Sequence, residues 1–269
     1  MSITIDDTRA SNDNRKNNRR NRRSSQKNSC IATLSAIAQV QKVLYHVNNF
    51  NGSYHLRNWS ASARKERAPY IGIKLELLHD GSYIAFNVPK LAFIAASPAF
   101  ADHMAISPDV KLLRFCSSEV DFYAVKAIVI WLRKICSEKV HTDLPIPEDI
   151  EEDLQLRRTA RRLGMSQYVA DIIERYILDL ADRVPDVSEL VLVCECTKDQ
   201  GIVDPMSEVL ANCVGYLLKY NQVDGMKVGL YAEVLKTKKC QRLLDAICEE
   251  KLDRIHRVGW LAVYKKPWK

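Results

Sequence analysis

The sequence is short of the residues from which catalytic centres are built. Only 9 of its 269 residues are glycine and only 6 are histidine. No glycines form a phosphate-cradling G-x-G-x-x-G loop or a G-x-S-x-G nucleophile turn, and no His-Glu-x-x-His zinc motif is present. We therefore expect a protein that is not an enzyme and that binds no cofactor.

Long apolar runs are also missing. No uncharged apolar stretch approaches the roughly 18 residues that a membrane-spanning helix needs. The first apolar stretch begins only at Ile31, behind a long polar segment that does not resemble a secretory signal. These absences predict an intracellular protein without a membrane partner. The 8 cysteines are scattered through apolar helical patterns, where buried thiols are the usual state in a reducing compartment.

Two small groups could suggest chemistry. Cys194 and Cys196 could supply two zinc ligands, but a structural site needs four and only Cys213 follows within reach. We therefore predict ordinary helix cysteines. Asp102 and His103 could be imagined as an acid–base pair, but adjacent helical residues point in different directions. Both side chains are predicted to be exposed.

The formal net charge of +7 is concentrated near the N-terminus. Residues 1–69 carry a net +9, whereas 70–180 carry −3 and 181–269 carry +1. Residues 1–29 have almost nothing to bury, which predicts a disordered basic arm. The nuclear import candidates in this arm are Arg15, Lys16, Arg19, Arg20, Arg22 and Arg23. An electrostatic nucleic-acid arm and a solubilising tail are the alternatives. We expect the nucleus or the cytoplasm, and the basic cluster favours the nucleus.

Residues 30–69 are predicted to form an amphipathic helix followed by a linker. Apolar residues recur near one helical face over 31–47, whereas 48–69 is polar and irregular. An isolated helix of this length is marginal in water. Its apolar stripe therefore needs a partner, either its own domain or a second copy of the chain. The self-association candidates are Ile31, Leu34, Ile37, Leu44 and Val47.

A small sheet is predicted within residues 70–180. Alternating apolar residues indicate strands at 71–78 and 83–88. They are separated by Asp80-Gly81, the strongest two-residue hairpin signal. A third short strand is indicated at 111–116.

Helices are predicted for the rest of the chain. Pro89 suits the first turn of one short helix, and Ser97 caps another. A long, mostly apolar helix from Ser118 is expected to be central to its domain, and Gly164 punctuates a helix pair. Residues 181–269 are predicted to be a helical extension. Its helices are expected at 187–197, 205–220 and 226–256.

A second basic cluster, "RRTARR" (157–162), lies in the predicted helix pair. Asp153 precedes Arg157 by one helical turn, and Glu151 and Glu152 lie close by. Opposite charges at this spacing are typical of a solvated helix face. We therefore predict that these arginines are exposed.

The order of the elements over about 70–180 resembles a BTB/POZ domain, most of all the divergent BTB proteins of filamentous fungi. The family's second strand and first helix read roughly aromatic-x-Val-His-Lys-x-x-Leu-x-x-x-Ser-x-x-Phe. The residues in the matching places are Phe86, Val88, Lys90, Phe93, Ser97 and Phe100. Downstream, Ala160, Leu163 and Gly164 are similar to the family's Ala-x-x-Leu-Gly.

The resemblance implies an α+β domain followed by an all-helical extension. It also implies non-catalytic protein–protein interaction, as an adaptor or as a homodimeric scaffold. Family members that recruit a cullin tend to carry hydrophobic-x-Glu, whereas this chain has Met104-Ala105-Ile106. Cullin binding is therefore expected to be weak or absent. The alternative hypothesis is a nuclear regulator that associates with nucleic acid through the basic arm.

Overall fold

The structure, a computed structural model, describes most of the chain. The described ranges are 36–49, 55–66, 72–79, 81–140, 142–147, 149–197 and 204–236. They contain a three-stranded mixed sheet and ten α-helices. This composition confirms the predicted α+β class.

The sheet forms where the alternating apolar residues predict it. β1 (Gly72–His79) lies in the middle, with β2 (Ser82–Pro89) antiparallel on one side and β3 (Leu112–Cys116) parallel on the other. Gly81 lies at the turn between β1 and β2 with a φ of +76°, a left-handed conformation that glycine adopts readily. Apolar pairs on the face toward the core are Ile73–Val88, Leu75–Phe86 and Leu77–Ile84.

Helices cover this face of the sheet and form the first core with it. α3 (Lys90–Ala96) is buried along its whole length, and Ser97 caps α4 (Pro98–Ile106) as predicted. α5 (Phe122–Ser137) contributes Ile128, Trp131, Leu132 and Ile135 to this core. α5 begins later than predicted from Ser118, because the carboxylate of Asp121 accepts the hydrogen bond from Ala124 N that caps the helix.

The chain before the sheet packs on the same core. The described part of α1, 36–49, buries Val40, Val43 and Val47 there. The prediction of an irregular linker over 48–69 is wrong for 55–66, which contain a 3₁₀ turn (Leu56–Asn58) and α2 (Ala61–Glu66). Leu56 and Trp59 are buried in the first core. Trp59, an aromatic residue isolated in a polar stretch, was therefore the sequence signal that this segment packs on the core.

One buried arginine fixes this segment against α5. Arg64 donates hydrogen bonds to the carbonyl oxygens of Trp59 at 2.6 Å, Ile135 at 3.1 Å and Lys139 at 3.2 Å. The last carbonyl groups of a helix have no partner within it. Arg64 therefore contributes side-chain donors at the C-terminal end of α5.

Five helices complete the described chain and enclose a second core. They are α6 (Ile150–Arg162), α7 (Asp171–Asp182), α8 (Val187–Thr197), α9 (Pro205–Lys219) and α10 (Gly225–Leu235). α6 and α7 belong to both cores, since Leu156 and Ile172 pack in the first, whereas Leu154 and Tyr176 pack in the second. The two cores are therefore joined through shared helices.

The last predicted helix is shorter than expected. The pattern over 226–256 predicts one continuous helix, but α10 ends at Leu235 with Lys236 as its C-cap. The chain continues with Thr237, Lys238 and Lys239, which offer no apolar side chain to extend the packed face. The rest of the predicted helix, 237–256, lies outside the described residues.

Candidate interaction surface

The stretch from Phe86 to Phe100, which carries the family motif, forms a junction inside the protein. Lys90 is almost fully buried, and its ammonium group donates hydrogen bonds to the carbonyl oxygens of Pro108 at 2.7 Å and Val110 at 2.6 Å. Burial lowers the pKa of Lys90 below its ordinary value. The lysine therefore holds the loop between α4 and β3 against the start of α3.

Ser97 connects this stretch to the end of α6. Its hydroxyl accepts a hydrogen bond from Phe100 N at 3.0 Å and donates one to the carbonyl oxygen of Leu163 at 2.7 Å. Gly164 follows with a φ of +71°, and a Cβ built on it would lie 2.6 Å from Ser97 Oγ. The six motif residues are buried, except for the half-buried Phe86. They stabilise the fold and offer little surface to a partner.

The predicted self-association stripe lies partly on the inner face of α1. Val47 is fully buried and Leu44 packs against the first core. Ile37 is half-buried, and Ile31 and Leu34 lie outside the described residues. Sequence reasoning missed Val40 and Val43, which with Val47 form an i, i+3, i+7 pattern. α1 thus packs on its own chain.

The nuclear import candidates cannot be placed, because 1–35 lie outside the described residues. They remain a prediction from the sequence.

The prediction of a solvated face for the second basic cluster is wrong for Arg157, Arg158 and Arg161, which are partly buried, and is confirmed for the exposed Arg162. Arg157 donates hydrogen bonds to both carboxylate oxygens of Asp204, at 3.0 and 2.9 Å, and Arg161 donates one at 3.2 Å. Asp204 is fully buried and also caps α9 by accepting from Met206 N. The partner arrives from a distant part of the chain, so local spacing could not reveal it.

The remaining arginines of the cluster are also bonded. Arg158 donates to the carbonyl oxygen of Ser118, and Arg162 donates to the carboxylate of Glu119. Glu119 also accepts from Cys116 N, and this backbone hydrogen bond holds its pKa below the ordinary value, with Arg162 contributing. The arginines of this cluster therefore connect α6 to the start of α9 and to the loop between β3 and α5.

The candidate catalytic groups do not converge. Cys194 and Cys196 are buried on α8, and Asp102 and His103 lie exposed on α4 as predicted. Burial raises the pKa of the Cys213 thiol to about 12, which makes it a poor nucleophile near neutral pH. In the ranges that the structure describes, no three His, Cys, Asp or Glu side chains are placed to hold a metal ion.

A buried polar network in the second core was not foreseen. Tyr176 donates its hydroxyl hydrogen to Glu189 Oε1 at 2.6 Å, and Arg183 donates to Glu189 Oε2 at 2.6 Å and also bonds Asp179. Burial and the neighbouring Glu189 raise the pKa of Tyr176 well above its ordinary value. Because the carboxylate of Glu189 is already bonded at both oxygens, this network is structural.

An open surface lies where α5 meets α6. A cleft of about 560 Å³ is lined by Tyr123, Ala127, Pro147, Gln155 and Leu156, with four carboxylates around it. These carboxylates belong to Asp121, Asp149, Glu151 and Glu152. Asp121 and Asp149 are the N-caps of the two helices, so half of the negative charge has a structural role.

Two large apolar side chains stand on the outer side of α5. Tyr123 is 73% exposed, and Ile130, two turns later, is 53% exposed. Tyrosine is frequent among the residues that anchor protein–protein interfaces. Together with the cleft, they form the α5 surface, which we define as Tyr123, Ala127, Ile130 and the cleft.

The segment aligned with the cullin motif divides between core and surface. Met104 is fully buried, whereas Ile106 at the end of α4 is 84% exposed. Ile106 therefore presents an apolar side chain where the motif has a carboxylate.

The described residues contain no helix that is long and apolar enough to cross a membrane. Comparison of the chain with protein-family models, with curated proteins and with solved structures finds no match. A functional proposal must therefore be argued from the residues of this chain.

Proposed function

We propose that the chain is a non-catalytic protein-interaction module with a BTB/POZ-like domain, and that it acts as an adaptor or a self-associating scaffold. The observation that carries the proposal is the α5 surface, where Tyr123 and Ile130 expose apolar area beside a cleft. Exposed apolar side chains on one helix face, with polar residues around them, are typical of interaction sites. The buried ionisable groups, by contrast, are used for internal bonding.

Two features support the BTB/POZ-like part of the proposal. The sheet and the short helices follow the order that the resemblance implies. In addition, the two stretches that carry the resemblance meet in space through Ser97 and Leu163. Both observations come from the structure of this chain and not from a comparison with another protein.

Self-association through the α5 surface can be tested on the full chain by sedimentation equilibrium. We expect a dimer at tens of micromolar, and Ile130→Glu should weaken it about 10-fold or more, because a charge would be buried in the interface. The matched control is Leu178→Glu, which places the same charge at an exposed leucine on α7 and should change nothing. A chain that stays monomeric at these concentrations contradicts the homodimer.

Cullin binding is proposed to be weak or absent. A glutamate at the motif's third position would accept a charge-assisted hydrogen bond worth about 1.5–3 kcal/mol, or roughly 10- to 100-fold in affinity. Ile106 cannot accept it. Sub-micromolar binding of the full chain to a cullin N-terminal domain would contradict this proposal.

The net charge of +9 over residues 1–69 favours a second candidate function, nuclear action with contacts to nucleic acid. Fusing 1–29 to a cytoplasmic reporter should move the reporter into the nucleus. Replacing Arg19, Arg20, Arg22 and Arg23 by alanine should abolish the movement. Salt-dependent retention on DNA that is lost on deletion of 1–29 would support the nucleic-acid contact. A reporter that does not move, with no DNA retention, removes this candidate.

A further inference from the structure

β2 forms one edge of the sheet, and among the described residues no strand lies on its outer side. Lys74 N donates to the carbonyl oxygen of Lys111 at 2.9 Å, so the backbone of Lys74 points toward β3. Successive residues of a strand direct their backbone groups to opposite sides, and Leu75 therefore points toward β2. Its pairing partner is Phe86. Phe86, and every second residue of β2 counted from it, is thus bonded to β1.

The alternate residues of β2 direct their backbone groups outward. They are Tyr83, Ala85 and Asn87. The carbonyl oxygen of Asn87 accepts a hydrogen bond from Arg133 of α5, in agreement with this orientation. The N–H and C=O groups of Tyr83 and Ala85 are bonded to no group in the described ranges. β2 therefore presents two unpaired donors and two unpaired acceptors at consecutive outward positions.

The side chains of β2 lack the usual protection of a sheet edge. Native edge strands are commonly blunted by charged residues or by proline, whereas the four residues from Tyr83 to Phe86 are uncharged. On the face toward the core, Ile84 and Phe86 are only half-buried, although their partners on β1, Leu77 and Leu75, are fully buried. The first core is therefore incompletely covered beside β2.

We propose that β2 pairs antiparallel with β2 of a second copy of the chain, about a two-fold axis at Ile84, and so joins two sheets into one. This inference rests on the proposed self-association and gives it a surface and a register. Tyr83 then lies opposite Ala85 of the second copy, and the two residues exchange both of their hydrogen bonds. The two-fold axis repeats this exchange, so all of the unpaired groups of both residues are used.

The contacts of Asn87 and Phe86 favour a second copy in this register. An axis at Ala85 would require a new donor for the carbonyl oxygen of Asn87, which Arg133 already occupies. Phe86 contacts Phe122 with ring centroids 5.4 Å apart, so the edge of β2 is continuous with the α5 surface. The pairing places α5 of both copies on the same side of the joined sheet. The edge and the α5 surface therefore belong to one dimer interface.

Oxidative cross-linking of the full chain tests the register. The two copies of Ile84 would form a non-hydrogen-bonded pair with Cα atoms about 4.5 Å apart, which suits a disulfide. Mild oxidation of Ile84→Cys should therefore give a covalent dimer, with the linkage between the two copies of position 84 located by mass spectrometry. Ala85→Cys is the matched control, because its two copies would lie about 8 Å apart, too far for a disulfide. A linkage at 85 without one at 84 overturns the register.

Sedimentation equilibrium of Ala85→Pro tests the strand pairing itself. Proline is tolerated at an edge position whose N–H faces outward, and near-UV circular dichroism checks that the variant is folded. The dimer dissociation constant should rise about 10-fold or more, because two hydrogen bonds lose their donor. Ala85→Val keeps the N–H group and should leave the dimer intact.

The outcomes separate this pairing from self-association in general. A dimer that Ala85→Pro leaves unchanged, with no linkage at position 84, overturns the pairing of β2 and leaves self-association standing. A wild-type chain that remains monomeric contradicts both. Weakening by Ala85→Pro but not by Ala85→Val, together with the linkage at 84, supports the pairing.

Discussion

The two cores bury their polar side chains in different ways. In the first core, Arg64, Lys90 and Ser97 donate to main-chain carbonyl oxygens. In the second core, Asp204 and Glu189 accept hydrogen bonds from the side chains of arginine and tyrosine. These five side chains are all bonded, but Arg64, Lys90 and Ser97 donate to the backbone, whereas Asp204 and Glu189 depend mainly on other side chains.

This difference has consequences for substitution. A carbonyl acceptor is present whatever residue occupies its position, so the loss of a first-core donor cannot be relieved by a second substitution. Removing one member of a side-chain pair leaves a buried charge, which costs more than the pair contributes. Removing the other member as well should restore part of the stability. Substitutions of Asp204 and Glu189 should therefore be coupled to those of their side-chain partners, whereas substitutions of Arg64, Lys90 and Ser97 should show no such coupling.

The largest effect is expected for Asp204→Ala. The change leaves Arg157 without its partner in a half-buried position and uncaps α9, so we expect a loss of about 4 kcal/mol in the free energy of unfolding, measured by urea denaturation. Asp224→Ala is the matched control, because Asp224 caps α10 through Lys227 N but is exposed and is bonded to no arginine that the structure describes. It should cost about 1 kcal/mol.

Coupling can be measured by adding Arg157→Met to Asp204→Ala. The double variant should be less destabilised than the sum of the two single variants, because no buried arginine charge remains at Arg157. Strict additivity, or a loss for Asp204→Ala no greater than that for Asp224→Ala, would contradict the role assigned to the ion pair.

A somewhat smaller effect is expected for Arg64→Met in the first core. Three carbonyl oxygens would lose their donor, and hydrogen bonds to charged groups contribute enough to make a loss of about 3 kcal/mol reasonable. Arg64→Lys should retain only part of the stability, because an ammonium group keeps the charge but cannot reproduce the forked arrangement of donors in a guanidinium. Lys65→Met, at the exposed neighbouring position, is the control and should change unfolding by less than about 0.5 kcal/mol. An equal response at positions 64 and 65 would contradict the anchoring role of Arg64.

These contacts also show where prediction from the sequence stops. The hairpin and the cap at Ser97 were predicted because their signals lie within a few residues of the elements they start or join. Arg64 bonds to Ile135, 71 positions away, and Arg157 bonds to Asp204, 47 positions away. Such partners are set by tertiary packing, so Arg64 was assigned to an irregular linker and Arg157 to a solvated helix face. Local charge patterns predicted exposure because they contain no information about distant partners.

The α5 surface could not be predicted from the sequence, for a related reason. The pattern of α5 correctly predicted a helix that is apolar on most sides. Which of those sides remains exposed depends on the positions of β2 and α6, which both contact α5. Tyr123 and Ile130 could therefore be identified as surface residues only in the folded chain.

Gly164→Ala tests the close contact between the end of α6 and Ser97. The new Cβ would lie 2.6 Å from Ser97 Oγ and 2.9 Å from the Cβ of Ala99. It would also sit in a left-handed conformation that costs an alanine about 1 kcal/mol, so we expect a total loss of about 2–3 kcal/mol. Gly81→Ala is the control, since its φ of +76° is similar but no atom lies within 4 Å. Equal thermal stability of the two variants would contradict the steric part of this argument.

The smallest effect is expected at Asp153, which lies on α6, a helix that contributes residues to both cores. Its Oδ2 accepts from Arg175, whereas its buried Oδ1 has no hydrogen-bond donor among the described residues. Burial raises the pKa of Asp153 above its ordinary value, although Arg175 opposes the shift. As pH rises from about 3, the unfolded chain therefore ionises first and the native state loses stability relative to it.

Asp153→Asn removes this titration while keeping the size of the side chain and an acceptor for Arg175. The variant should gain stability relative to the wild type as pH is raised from about 3 to 7, in urea denaturation at each pH. Any constant cost of burying the amide shifts the whole curve and leaves its slope unaffected. Arg175→Met sharpens the test, because loss of the guanidinium should raise the pKa of Asp153 further. The stability of this variant, which keeps Asp153, should then fall more steeply with rising pH than that of the wild type. Curves that run parallel for wild type and Asp153→Asn would show that the carboxylate at this boundary is as well solvated in the native state as in the unfolded chain.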